Sequence, residues 1–235
     1  TAAVRQGRII FDNIRKSVMF MLCTNVAEVM AVGVAAVVGG FFRLPLPLLP
    51  LQILYLNVIT DVFPALALGM SRGSPDVMNR RPRSRDEAVL TRRHWLSIGG
   101  WAALMSGCVL ASLMIAFYIF DFDHYQAVTV SFLTLAFAKL WFVFNLRDPG
   151  TRLLTSDIAR NPYIHFSLLL CMVLLIASVY LPGLSHILKT EHPGTDGWLL
   201  LLGMSLLPFI WGQGLRIFQR IGKKEEISGR VERSG

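Results

Sequence analysis

Residues 56–69 read LNVITDVFPALALG, and the fold turns on how that stretch is read. It lies in an apolar block, 51–70, close to the roughly 20 residues a helix needs to cross the hydrocarbon of a bilayer. The middle of the block nevertheless carries Asn57, Thr60 and Asp61, with Pro64 just after. On a helix the spacing i, i+3, i+4 puts the first three on one face. Pro64 lacks the N–H that would answer the carbonyl of Thr60, and it disfavours regular helix just before it. Freed carbonyls at membrane depth are tolerated where they line a cavity or an ion site. The stretch therefore reads as a membrane span opened beside a polar cluster.

Five more apolar blocks, at 17–42, 95–118, 127–146, 163–181 and 197–217, have comparable length. The chain has 235 residues, of which 54% are hydrophobic and 16% charged, and this composition in long blocks excludes an ordinary soluble domain. Ten-residue alternation, the mark of a membrane β-barrel, does not occur. The expected fold is an all-α polytopic transmembrane bundle of six spans. All but three of the 23 Lys and Arg residues fall in the leading segment, the 71–94 and 147–162 connections, and the end of the chain. The exceptions are Arg43, Lys139 and Lys189. The positive-inside rule then places both termini in the cytoplasm. The net charge of +8 is accounted for by basic loops against anionic headgroups and calls for no nucleic acid.

The expected division is a cytoplasmic stalk, 1–16, continuing the first helix, a six-helix transport domain, 17–217, and a cytoplasmic tail, 218–235. The prolines of RLPLPLLP, 43–50, make a tight link between the first two spans. The Arg-, Pro- and Ser-rich connection 71–94 belongs on the cytoplasmic surface. Cys23, Cys108 and Cys171 lie within spans without metal-ligand spacing and read as small packing residues. Ser97, Ser106, Ser112, Thr134, Ser167 and Ser178 read as helix-packing hydroxyls, Gln213 as interfacial, and His165 and His186 as surface residues. His94 with Trp95, and Tyr180, read as interfacial anchors. The start at Thr1, with no signal peptide, suggests a piece of a longer protein.

Three ionisable residues fall deep in spans: Glu28, Asp61 and Lys139. Each costs on the order of 3 kcal/mol at a helix centre. At ~1.5 Å per residue they lie roughly 18, 14 and 10 Å from the same face of the membrane, within one slab. Asn25 shares a helix face with Glu28, as Asn57 and Thr60 do with Asp61. Carboxylate, amide and hydroxyl oxygens are the ligand chemistry of a hard cation such as Ca²⁺. The bland alternative is a set of polar groups that only hold helices together.

At these residues the chain resembles the C-terminal membrane half of P-type cation-transporting ATPases, the calcium-pump-like branch. GRIIFDNIRKSVMFMLCTNVAEV (7–29) resembles that family's fifth membrane helix with its stalk, and LQILYLNVITDVFPALALG (51–69) the sixth. DVMNRRPR (76–83) resembles the signature that follows. The resemblance implies that Asn25, Glu28, Asn57, Thr60 and Asp61 are cation ligands, with Asp61 bridging two sites. It also implies that a longer parent supplies the fourth helix with a further acid, the actuator, phosphorylation and nucleotide domains with the DKTGT motif, and the use of ATP and Mg²⁺. No catalytic residue is expected within this chain. One position departs from the pattern: with Asn145 aligned to the family's asparagine in the eighth helix, Lys139 stands where two-site calcium pumps carry an acid. An ammonium has donors only and cannot ligate a cation, so Lys139 is expected to pair with Glu28 or Asp61. The implied role is Ca²⁺ export across a bacterial plasma membrane. The alternatives are a pump for Mn²⁺, Na⁺ or H⁺, a passive cation channel or secondary transporter, and a membrane anchor that transports nothing.

Overall fold

The computed structural model describes residues 2–42, 45–71, 73, 75–78, 89–147 and 156–232. Residues 79–83 of the DVMNRRPR signature, half of the basic 71–94 connection and the centre of the 147–162 connection lie outside them. The elements in chain order are α1 (Ala2–Phe42), α2 (Pro50–Leu56), one π-helical turn (Asn57–Asp61), α3 (Val62–Gly69) and a 3₁₀ turn (Pro75–Met78). Then come α4 (Arg92–Tyr118), α5 (His124–Phe142), a 3₁₀ turn (Val143–Leu146), α6 (Pro162–Tyr180), α7 (Pro182–Leu188) and α8 (Gly194–Glu232). There is no strand among the described residues, and six segments are long and apolar enough to cross a membrane. The bounds of the last five fall within a few residues of the apolar blocks, while the first, Ala2–Gly40, takes in the polar leading segment as well.

Helix starts follow local chemistry. Asn161 accepts from the N–H of Tyr163 at 3.0 Å ahead of α6, with Pro162 at the first helical position, where its missing N–H costs nothing. Gln52 in α2 reaches back to accept from the N–H of Leu49 at 3.1 Å. The short α7 was not foreseen. It begins at Pro182 and ends at Lys189, whose φ of 52° is left-handed. It is tied to α2 by the Gln52 amide, which donates to the Leu188 carbonyl at 3.1 Å.

Helix α1 is one unbroken rod of 41 residues, about 60 Å long, so its polar leading segment and its apolar span move together. Cys23, Ala27, Ala31 and Ala35 recur every fourth residue and are all buried. Such a stripe lets neighbouring backbones approach closely, which is what membrane helices use in place of a hydrophobic drive. The approach to α4 is close enough for Ser106 Oγ to donate to the Ala27 carbonyl at 2.6 Å. Antiparallel to α1, the end of α3 is stitched on by side-chain donors. Ser17 Oγ donates to the Ala65 carbonyl at 2.9 Å, and Asn13 Nδ2 to the carbonyls of Gly69 and Ser71 at 3.1 and 2.6 Å. Lys16 Nζ donates to Asp157 at 2.6 Å, joining α1 to the segment before α6.

The central helix is α5. The apolar window of its span is 89% buried, against 22–44% for the other five. Buried on nearly every side, it is the span most enclosed by protein. Its far end is held to α8 by a polar network absent from the sequence reading. Arg147 Nη2 donates to Gln213 Oε1 at 2.6 Å, Gln213 Nε2 to Asn145 Oδ1 at 2.8 Å, and Arg216 donates to the carbonyls of Asn145 and Arg147. Gln213 is thus half-buried between helices rather than simply interfacial. Gly212 makes the approach possible: a Cβ there would lie 2.6 Å from Trp101 Cη2 and 2.7 Å from both Asn145 side-chain termini. Gly212→Ala in the full-length protein is expected to cost about 1–3 kcal/mol by overpacking. Gly214→Ala, with nothing within 4 Å of the new Cβ, should be close to neutral. Thermal unfolding of the two variants side by side checks the difference.

Candidate functional site

The polar residues of α1, of the π-turn and of α5 meet at one place. Lys139 is 0% exposed, Asp61 2% and Glu28 5%. Lys139 Nζ lies between the two carboxylates, 2.8 Å from Glu28 Oε2 and 3.1 Å from Asp61 Oδ1. Its ion pairs join residues 111 and 78 positions apart in the chain. In hydrocarbon each of these charges alone would be costly. Together they satisfy one another, as paired charges within a bundle interior can.

Asn57 completes the cluster. With its amide nitrogen turned toward the acids, it donates to Glu28 Oε2 at 3.3 Å and to Asp61 Oδ2 at 3.2 Å. In this arrangement Asn57 and Lys139 both act as donors to the same two carboxylates. Asn25, three residues before Glu28 on α1, is the complement. Its Oδ1 is buried and accepts no hydrogen bond among the described residues. Thr60 is fully buried, and its hydroxyl donates back to the Leu56 carbonyl at 2.8 Å. Its oxygen retains lone pairs but faces its own helix.

The local fold explains why Asp61 points inward. Residues 57–61 form a single π-turn, which inserts an extra residue into the helix. Pro64 is the sequence feature behind it. In an α register its missing N–H would leave the Thr60 carbonyl unanswered, and in a π register the Ile59 carbonyl. Cys171 of α6 supplies the substitute, its thiol donating to the Ile59 carbonyl at 3.3 Å. From the sequence alone the proline is expected to open the helix and Cys171 to be a packing residue. The helix is instead widened by one turn and remains continuous, with the cysteine closing the defect. Cys23, Cys108 and Cys171 are all free and buried.

Of the residues singled out in the sequence, Glu28, Asn57, Asp61 and Lys139 therefore touch. Asn25 and Thr60 stand on the adjoining turns of α1 and of the π-turn, and Pro64 sits one turn below. Among the described residues no group of three or more His, Cys, Asp or Glu side chains comes together. Any cation held here would rest on two carboxylates with amide and backbone oxygens, a hard-oxygen set. Further off, the Ser112 and Ser178 hydroxyls donate to carbonyls of their own helices at 2.8 and 2.6 Å. His165 and His186 are exposed.

A family profile described as cation transporting ATPase, C-terminus, matches residues 45–218. A calcium-transporting ATPase of Bacillus subtilis is 34% identical over 216 residues, covering 88% of this chain and 23% of the relative. Calcium-transporting ATPase 1 of Bacillus cereus is 28% identical over 232 residues, covering 93% of the chain and 26% of the relative. The human calcium-transporting ATPase type 2C member 2 is 28% identical over 223 residues, covering 93% and 23%. The chain thus spans about a quarter of the length of these relatives.

Proposed function

We propose, from the premise that this chain belongs to the cation-transporting ATPase family and matches its C-terminal membrane part, that it is the ion-translocating half of an ATP-driven calcium pump. It is a multi-pass integral membrane protein. In the proposal both termini face the cytoplasm of a bacterial cell, and α1 is the rod that carries the motion of the ATP-hydrolysing domains into the membrane. The leading segment 1–16 is the stalk, 17–217 the transport domain and 218–235 the tail. ATP and Mg²⁺ act in the parent's other domains, where the metal neutralises charge on the transferred phosphate. This chain contributes the ion path.

The single observation that carries the reading is the Glu28–Lys139–Asp61 cluster at the π-turn. It joins α1, the second span and the enclosed α5. Any change in the tilt of α1 alters the distance from Glu28 to Asp61. The transported Ca²⁺ takes oxygen from Asp61, Glu28, Asn25, Asn57 and Thr60. For Asn57 this requires turning its carbonyl oxygen, rather than its amide nitrogen, to the centre. The fourth helix of the parent adds a further acid.

Lys139 sets the count. Its ammonium fills the space between the carboxylates and supplies one positive charge that never leaves. Counted as ionised, the three groups sum to one negative charge, which suits one divalent cation with the parent's extra acid and leaves no charge for a second. The proposal is therefore one Ca²⁺ per cycle.

The experiment is ATP-dependent Ca²⁺ accumulation in inside-out membrane vesicles holding the full-length protein. Accumulation that needs ATP and is discharged by a calcium ionophore supports a pump. Calcium flux that runs without ATP, down its gradient, would establish a channel instead. In the same assay Glu28→Gln is expected to weaken Ca²⁺ affinity about tenfold, or about 1.4 kcal/mol. An unchanged affinity would make Glu28 a partner of Lys139 only.

A further inference from the structure

On the outer surface of the bundle, α4 and α8 run antiparallel and leave a groove. Two adjoining cavities of about 550 and 470 Å³ share Leu104, Trp211 and Leu215. Gly100 and Gly214 leave room at its floor, since neither has an atom within 4 Å of where a Cβ would stand. The lining is almost wholly apolar until Ser97, at the end where α4 begins. Trp211 is 59% exposed.

The charge at that end is unusual for a helix start. Arg92 and Arg93 are the first two residues of α4, both exposed, and the first turn holds no acid. The positive end of the helix dipole disfavours cations there, unless an anion lies over them. They stand about one turn beyond Ser97, about 6 Å along the axis. On the other helix, α8 continues past the groove through Arg220, Lys223 and Lys224 in sequence. Arg216 does not serve here, because it is turned inward to the carbonyls of Asn145 and Arg147.

An apolar groove that ends at two exposed arginines, with no acid in the same helical turn, fits a molecule with an acyl chain joined to an anion. We infer that the α4–α8 groove is a binding site for an anionic phospholipid. One acyl chain lies along Leu104, Gly214 and Trp211, and the phosphate sits over Arg92 and Arg93. Basic pockets between membrane helices on the cytoplasmic side select anionic headgroups by this charge pairing. The site is separate from the cation cluster, so it does not depend on what the pump transports.

Trp211 provides the probe. The full-length protein is placed in nanodiscs of phosphatidylethanolamine that hold, at equal mole fraction, either phosphatidylglycerol or phosphatidylethanolamine with brominated acyl chains. Bromine quenches an indole only near contact, and subtracting the Trp211→Phe variant isolates the groove. The Trp211 share is expected to be quenched about fivefold more efficiently by the anionic lipid. In Arg92→Gln/Arg93→Gln, a surface change that leaves the bundle intact, that preference should fall by half or more. Equal quenching by the two lipids, or an unchanged preference in the double variant, overturns the proposal. So does the absence of quenching by either lipid, which would mean that a second copy or another membrane helix covers the groove.

Discussion

Asp61→Asn in the full-length pump should abolish Ca²⁺-stimulated ATP hydrolysis while leaving the protein folded. Asp61 is the one acid on the π-turn, where its backbone is already displaced from α-helical register. Its two oxygens face different partners, Oδ1 toward Lys139 and Oδ2 toward Asn57. An amide keeps the shape and one acceptor oxygen but removes the charge that a divalent cation needs. The loss should be complete, to the rate without Ca²⁺, because only Glu28 would remain as a carboxylate from this chain. Folding should survive, since Lys139 keeps its 2.8 Å bond to Glu28. Hydrolysis at the wild-type rate and with wild-type Ca²⁺ dependence in a folded variant would remove Asp61 from the site.

The second large effect is on stability. Lys139→Met should destabilise the protein by about 3–5 kcal/mol in the absence of Ca²⁺, because it strands two buried carboxylates. Methionine matches the length of the lysine stem, so the cost is electrostatic rather than a cavity. Added Ca²⁺ should then recover more stability in the variant than in the wild type, since binding to the folded state stabilises it by mass action. Thermal melts with and without Ca²⁺ read both quantities. A variant as stable as the wild type without Ca²⁺ would mean that the three groups do not depend on one another.

Much of this architecture is legible in the sequence, because a bilayer imposes length. Six blocks of about 20 apolar residues can do little else. That Glu28, Asp61 and Lys139 meet was foreseeable because each is costly alone and all three fall at similar depth. Other features need the tertiary fold. Pro64 announces a defect in its helix, but whether the helix opens or widens depends on a donor from another span. The donor, Cys171, lies 112 residues from the Ile59 carbonyl it answers. The Arg147–Gln213–Asn145 network joins α8 to the 3₁₀ turn after α5 and the residue that follows it, segments that each look ordinary along their own sequence. The groove between α4 and α8 likewise arises only when glycines from both helices face the same space. Thr60 shares a face with Asp61, and only the tertiary structure adds that its hydroxyl donates to the Leu56 carbonyl.

In the proposed site Lys139 occupies one of two places that a cation could fill. Equilibrium binding of Ca²⁺ to the purified full-length pump, counted per mole of protein, tests it most directly. The expected count is one for the wild type and two for Lys139→Glu, which replaces the resident ammonium with a third carboxylate. Two Ca²⁺ bound per pump with Lys139 in place would contradict the account.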